Sequence, residues 1–360
     1  MPKTRSIFLY PLSLVYGLIT GIRNFLFNAG VLKSHEFSIP VICVGNIAAG
    51  GTGKTPHTEY LAELLQKDFR VAVLSRGYKR KTSGFLIAGN GSSVSDIGDE
   101  PLQICRKFPG VTVAVDSDRV HGVKEILNAF PETSVIILDD GFQHRRLVPG
   151  LAILLTGFSN LIINDHMLPY GNLRESRHNM HRADIILITK SPGDISPIQR
   201  RLIVRDMQKR PYQNLYFTSL SYGEPAAVFE GDRPAVNFTK DETGILLVTG
   251  IADPAGLKEY LSARTGEIVH ISFGDHHNFN QADIEKIIGG FSEIRAQHKY
   301  IITTEKDSVR LREFTNIAEP FRSAFYYIPV RIWFLNDDKE EFDNLIIDYV
   351  RKNKRNNRIS

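Results

Sequence analysis

The residues best suited to chemistry are Gly50, Gly51, Thr52, Gly53, Lys54 and Thr55, in the run AAGGTGKTP (48–56). An apolar run, IPVICVGNI, precedes them, and TEYLAELLQ follows with Leu61, Leu64 and Leu65 at helical spacing. Strand, glycine loop and helix in that order are the context in which backbone N–H groups cradle a polyphosphate. The glycines tolerate positive φ and let the backbone approach phosphate oxygens. Lys54 has the reach for the β- and γ-phosphates, and the Thr55 hydroxyl is a ligand for Mg²⁺. Ala48 stands where the pattern G-x-x-x-x-G-K-[ST] has its first glycine. The competing reading is a glycine-rich turn without a ligand, and the flanking strand and helix weigh against it.

A second strand, SVIILDDGFQH, ends at Asp139, 85 residues after Lys54. A carboxylate at a strand end beside such a loop holds Mg²⁺ directly or through water. Asp139 is the better candidate, and Asp140 is its neighbour in the same turn. Further polar clusters follow other strands: SRGYKR (75–80), GDEP (98–101), DSDR (116–119) and LPYGNLRES (168–176). Taken singly, Asp99 reads as a helix cap, Arg119 and Arg174 as surface, and Glu175 as their partner. Their shared position at strand ends favours a common site. A kinase acting on an alcohol needs a carboxylate or histidine near the attacking hydroxyl. Asp99, Asp139, His144 and His276 are the candidates.

The elements that must position these residues alternate. Strands are expected at 70–75, 111–116, 151–156 and 183–189, and helices at 100–107, 118–129 and 196–209. Continuous apolar strands predict an α/β fold, a mostly parallel sheet covered on both faces, with ligands at the carboxyl ends of its strands. The texture changes near residue 223. The expected organisation is an apolar helix (1–34), a phosphate-binding core (35–222), a linker with a β-hairpin (223–243), a smaller α/β unit (244–350) and a disordered basic tail (351–360). In the smaller unit, DHH (275–277) gives too few ligands for a metal site. One histidine reaching back across a cleft is the preferred reading.

With 42% apolar and 23% charged residues, the composition is that of a globular chain. The net charge of +4 hides its distribution. Residues 1–35 contain four basic residues and no acid, and 351–360 contain five and no acid, so the body is net acidic. That argues against a nucleic-acid face. Two distant cysteines, Cys43 and Cys105, match no disulfide framework or metal spacing. Residues 7–22 are uncharged, too short for a comfortable membrane span, and flanked by basic and aromatic residues. The stripe shows no clear polar face, which favours a helix lying in a membrane interface over one packed on a domain.

VGNIAAGGTGKTP, SRGYKR, GDEP, ILDDGFQHRRL, LPYGNLRE, the DHH element and ITTEKD, in that order from about residue 5 to about residue 335, resemble the motif set of tetraacyldisaccharide 4′-kinases. The resemblance implies a P-loop kinase that uses MgATP to phosphorylate the 4′-hydroxyl of an acylated glucosamine disaccharide 1-phosphate. It places the enzyme on the cytoplasmic face of a Gram-negative inner membrane, peripheral or monotopic through its amino-terminal helix, and no obligate protein partner is expected. It also implies roles: Asp99 as general base with His276 as its dyad partner, Lys54 and Thr55 for nucleotide and Mg²⁺, and Asp139 as the second metal ligand. Glu100, Arg119, His144, Arg174 and Glu175 match further active-site positions. A nucleotide-dependent switch or metallochaperone-like NTPase is the alternative, and a soluble-sugar kinase whose amino terminus merely packs is a third reading.

Overall fold

The computed structural model describes residues 7–89, 91–231 and 236–356, with side chains through residue 353. In chain order its elements are α1 (Tyr10–Asn28), β1 (Val41–Gly45), α2 (Lys54–Leu65), β2 (Val71–Ser75), β3 (Leu86–Ile87), α3 (Val94–Ile97), α4 (Asp99–Lys107), β4 (Thr112–Val115), α5 (Arg119–Ala129), β5 (Val135–Asp139), β6 (Leu151–Gly157), β7 (Ile185–Thr189), α6 (Pro197–Met207) and β8 (Asn214–Tyr222). They continue with β9 (Ala226–Ala227), β10 (Thr243–Thr249), α7 (Ala255–Ser262), β11 (Glu267–Ser272), α8 (Gln281–Glu293), β12 (His298–Thr304), α9 (Glu305–Leu311), β13 (Phe325–Ile328), β14 (Val330–Phe334) and α10 (Lys339–Asn356).

Two sheets result. The larger runs β14-β8-β7-β6-β1-β5-β2-β4-β3, parallel except at its two edge strands. The smaller runs β11-β10-β12-β13-β9, parallel except for β9. The central strands are buried along their whole length because helices cover both faces. Alternate residues of β1 show the division. Ile42 and Val44 pack with Leu61 and Leu65 of α2 and Phe342 and Ile346 of α10. Val41 and Cys43 pack on the opposite side with Val120, Val123 and Ile126 of α5. Each such side chain, removed from water, contributes roughly 1.5–3 kcal/mol.

Three sequence expectations need correction. The segment 223–243 forms no internal hairpin among its described residues, since Ala226–Ala227 pairs with β13. The smaller unit does not run on to residue 350. β14 returns to pair with β8, and α10 packs on the larger sheet, because the apolar face of Phe342, Ile346 and Val350 completes a core that α2 only half covers. The basic tail is helical to Asn356, as a continuation of α10. The expected basic flank at Lys3 and Arg5, and residues 357–360, lie outside the described residues.

α1 is the fourth correction, because it does have a polar face. Ser13, Tyr16, Thr20 and Asn24 recur at spacings of three and four and turn toward the protein. Ser13 donates to the Met167 carbonyl (2.8 Å), Tyr16 to the Arg174 carbonyl (3.2 Å), and Asn24 to Glu175 Oε2 (3.3 Å). The apolar side chains of α1 and of the turn before it (Ile7–Leu9) point the other way: Phe8 is 86% exposed, Leu18 64% and Phe25 66%. This is the reverse of an ordinary surface helix. Among the described residues no helix is long and apolar enough to cross a membrane.

Candidate active site

The register of the sheets builds the site. Val44 of β1 lies opposite Asp139 of β5, so the glycine loop and the Asp139–Asp140 turn leave the larger sheet at one edge. In the smaller sheet Val248 lies opposite Thr303, which brings Gly250 and the start of α9 together. The carboxyl edges of both sheets border one cavity of about 780 Å³. Gly50 to Thr55, Glu100, Asp140, His144, Arg174, Glu175, His276 and Lys306 line it.

Gly50 (φ 117°) and Gly53 (φ 80°) occupy conformations that side chains resist. Ala48 does not, which explains why alanine replaces the first glycine of the pattern. Its backbone instead bridges to Leu173, and the segment 172–174 clasps the loop through Ala49 N–H to the Asn172 carbonyl (2.7 Å) and Arg174 N–H to the Ile47 carbonyl (2.7 Å). Asn46 donates to the Thr52 hydroxyl (2.9 Å), and the Thr189 hydroxyl donates to the Thr52 carbonyl (2.9 Å). His57, one turn into α2, escaped the sequence reading. Its Nδ1 bonds the Gly53 carbonyl at 2.7 Å and its Nε2 lies 3.0 Å from Thr218 Oγ1. Burial pushes it down to about 4, so it braces the loop as a neutral ring.

Asp139 and Asp140 divide their roles. Asp139 is 1% exposed and accepts from Thr58 (3.0 Å) and Ser75 (3.2 Å). Asp140, with φ 51°, turns into the cavity within ion-pair reach of Lys54 (3.7 Å) and Arg174 (3.8 Å). Both distances are too long for hydrogen bonds, and Asp140 Oδ1 is buried without one. Burial, then the charges of Glu100 and Asp140, push Asp139 up to about 7, against Lys54 and the Thr58 hydroxyl, which lower it. Oxygen donors of this kind suit Mg²⁺, which takes one or two carboxylates and completes its shell with water and phosphate. Among the described residues no three His, Cys, Asp or Glu side chains converge as a protein-only cage.

This strain predicts a stability effect. An aspartate raised from 3.8 to about 7 holds its proton in the folded chain through a range where the unfolded chain has lost it. Stability therefore falls as pH rises across that window. In metal-free buffer at pH 8, Asp139→Asn should melt several degrees above the wild type, a gain on the order of a few kcal/mol, and the difference should shrink toward pH 5. Thermal melts at the two pH values check this.

Asp99 opens α4 behind Gly98, which takes the cap position at φ 91°. It is 3% exposed and lies at the centre of a charged cluster. Oδ2 meets His276 Nδ1 at 3.0 Å, Lys306 Nζ at 4.0 Å and the guanidinium of Arg310, and Oδ1 accepts the Glu100 N–H (3.0 Å). Burial alone would raise its pKa. The His276 hydrogen bond and the Lys306 and Arg310 charges outweigh that and hold it well below the usual carboxylate range. Lys306 also reaches Glu100 Oε1 (3.2 Å) and His276 Nε2 (2.9 Å). An ammonium offers only donors, so His276 Nε2 accepts and Nδ1–H donates to Asp99. His277 turns away, stacking on Phe273 and bonding Asp283 at 2.8 Å. Lys306 sits where TTEKD places it from the sequence, right after a strand at a ligand edge with Glu305 and Asp307, whereas Arg310 was not among the sequence candidates. Its signal is the i, i+4 spacing from Lys306 in TTEKDSVRL.

The remaining candidates separate. Arg119 is 1% exposed and does not face the cavity; it bonds the Asp116 carbonyl and the Asp139 carbonyl (3.1 Å) and so braces the turn from behind. His144 borders the cavity and is pushed down to about 4 by burial and then by the charges of Arg119 and Arg76, against the opposing pull of Asp140. Glu175 borders the cavity and is buried under α1, with Oε2 shared by Asn24, Asn179 and Arg182 and Oε1 buried without a hydrogen-bond partner.

Comparison with known proteins finds relatives over nearly the whole chain. The family described as tetraacyldisaccharide-1-P 4′-kinase matches residues 5–351. A tetraacyldisaccharide 4′-kinase from Phocaeicola vulgatus is 48% identical over 355 residues, covering 98% of this chain and 97% of the relative. One from Bacteroides thetaiotaomicron is 45% identical over 361 residues, covering 98% and 95%. The crystal structure of an "apo" form LpxK from Aquifex aeolicus in complex with ATP superposes with a TM-score of 0.72 at 28% identity, covering 95% of this chain and 98% of that one. This chain is a kinase and belongs to the tetraacyldisaccharide 4′-kinase family.

Proposed function

We propose that this chain transfers the γ-phosphoryl group of ATP to the 4′-hydroxyl of a tetraacyldisaccharide 1-phosphate at the cytoplasmic surface of a bacterial inner membrane. One observation carries the reading. The cavity that is bordered by the glycine loop and by His276 is also lined by Tyr16, Thr20 and Arg23 of α1, whose opposite face is apolar and exposed. A helix seated by its polar face and bare on its apolar face suits an interfacial anchor. An acceptor with acyl chains would keep them in the bilayer and present its sugar to the cavity beside that helix.

Gly50 to Thr55 bind the phosphates, and Lys54 faces the charge that develops on the transferring group. Thr55 and the Asp139–Asp140 pair are the groups that would hold Mg²⁺, which when bound neutralises phosphate charge. The acceptor's proton passes to the Asp99–His276 pair. Asp99 is ionised through the neutral range, and its hydrogen bond fixes the His276 tautomer. His276 borders the cavity, whereas Asp99 does not. That favours a second reading of the pair, in which Nε2, once Lys306 gives up its hydrogen bond there, takes the proton and Asp99 stabilises the resulting imidazolium. The unit that carries the smaller sheet closes on the nucleotide and excludes water.

The test is incubation of purified protein with γ-labelled ATP and a lipid extract containing the disaccharide 1-phosphate, with mass analysis of the labelled product. A glycolipid carrying a new phosphate at the 4′-position supports the reading. Release of free phosphate alone, stimulated by a protein, would make the chain a nucleotide switch.

A further inference from the structure

Behind the cavity, three helices that carry different parts of the site meet at one side chain. Lys107, the last residue of α4, places Nζ 2.7 Å from Glu59 Oε2 on α2 and 2.8 Å from Glu305 Oε1 on α9. α2 begins with Lys54 and Thr55, α4 with Asp99 and Glu100, and α9 carries Lys306 and Arg310. α4 and α9 run antiparallel, so that Asp99 meets Arg310 at one end and Lys107 meets Glu305 at the other. Glu59 Oε1 is taken by Gln103 of α4 (2.7 Å), and Glu305 Oε2 by the Val330 N–H (3.2 Å), where the chain crosses back to the larger sheet.

Stability is a poor explanation for this cluster. Two nearly buried carboxylates share one ammonium, and buried ion pairs seldom outperform apolar packing of the same volume. What such a cluster can secure is register. Lys107 lies about 12 Å along α4 from Asp99, at 1.5 Å per residue, so it acts at a distance from the acceptor.

We propose that Lys107 is a positioning residue for phosphoryl transfer, its ammonium setting the spacing between the phosphate loop on α2, the Asp99 end of α4 and the Lys306–Arg310 face of α9. The proposal rests on the reading of Asp99 and His276 as the proton-accepting pair. Misplacing reacting groups by an ångström costs up to about a hundredfold in rate.

The experiment compares Lys107→Met, Lys107→Arg and the double variant Lys107→Met/Glu59→Gln on the full chain, with kcat, KM for ATP and Tm measured for each. Lys107→Met should lower kcat by about ten- to a hundredfold while KM for ATP moves by less than about threefold. Lys107→Arg should recover most of kcat, since a guanidinium also spans two carboxylates. The double variant removes a charge left unpaired and should recover Tm with kcat still low. A Lys107→Met enzyme with wild-type kcat would overturn the proposal, as would recovery of kcat together with Tm in the double variant. Asp99→Asn assayed alongside separates the two readings. Transfer that survives it ends the proton-acceptor assignment, whereas the Lys107 series is read against wild type and does not depend on that result.

Discussion

Asp99→Asn should reduce kcat for lipid phosphorylation by about 10²- to 10⁴-fold, the range a positioned general base contributes, with ATP affinity nearly unchanged. The carboxylate lies outside the phosphate loop, so nothing in its loss disturbs Gly50 to Thr55. The amide keeps the volume and accepts the Glu100 N–H as before. It no longer neutralises Arg310 and Lys306, so Tm is measured in parallel to show that the fold survives. Nucleotide titration and single-turnover transfer provide the two readouts. A proportional loss of ATP affinity would move Asp99 into the nucleotide site. His276→Gln then separates the two versions of the pair. Glutamine still donates to Asp99 and accepts from Lys306. If Asp99 takes the proton, this variant should retain far more activity than Asp99→Asn. If Nε2 takes it, the two losses should be alike.

Which parts of this cluster were visible before folding follows from their separation along the chain. Strand, glycines, Lys54 and Thr55 are contiguous, and their meaning is local. The strands ending at Ser75, Val115, Asp139 and Thr189 announced a shared edge through unbroken apolar runs. Asp99 and His276 are 177 residues apart, and only the resemblance joined them. Arg310 stayed hidden because its role depends on α4 and α9 lying antiparallel, a fact of tertiary packing. The same holds for Asp140. Sequence marks the pair of aspartates but not which of them takes positive φ and faces the cavity, and Asp139, the favoured candidate, lies beneath with its oxygens on Thr58 and Ser75.

The boundaries failed for a related reason. A change of composition near residue 223 marked the start of the second sheet, but nothing in VRIWF distinguishes a strand of that sheet from one returning to the first. The return matters chemically, because it ties the base of α9 to the larger sheet through Glu305 and Val330. In α1, serine, threonine, tyrosine and a single asparagine make a weak polar stripe against many large apolar residues. Only the direction of packing shows that the stripe faces inward.

That inversion yields the second large effect. Replacing Phe8, Leu14, Leu18 and Phe25 with serine should lower partitioning onto anionic vesicles by roughly a thousandfold, taking about 1 kcal/mol for each half-buried apolar side chain. All four are more than half exposed, and none takes part in the polar contacts that seat α1. Tm should therefore stay within the small range of surface substitutions. Replacing Ser13 and Asn24 with alanine should do the opposite, loosening α1 from Met167 and Glu175 while leaving vesicle affinity high. Co-sedimentation with vesicles at low and high salt measures both. The basic residues near the surface add about 1 kcal/mol each and make part of the binding salt-sensitive, whereas the apolar part persists in salt. Equal partitioning of the serine variant and the wild type would show that the exposed face meets something other than lipid, and the acceptor's route along α1 would fail with it.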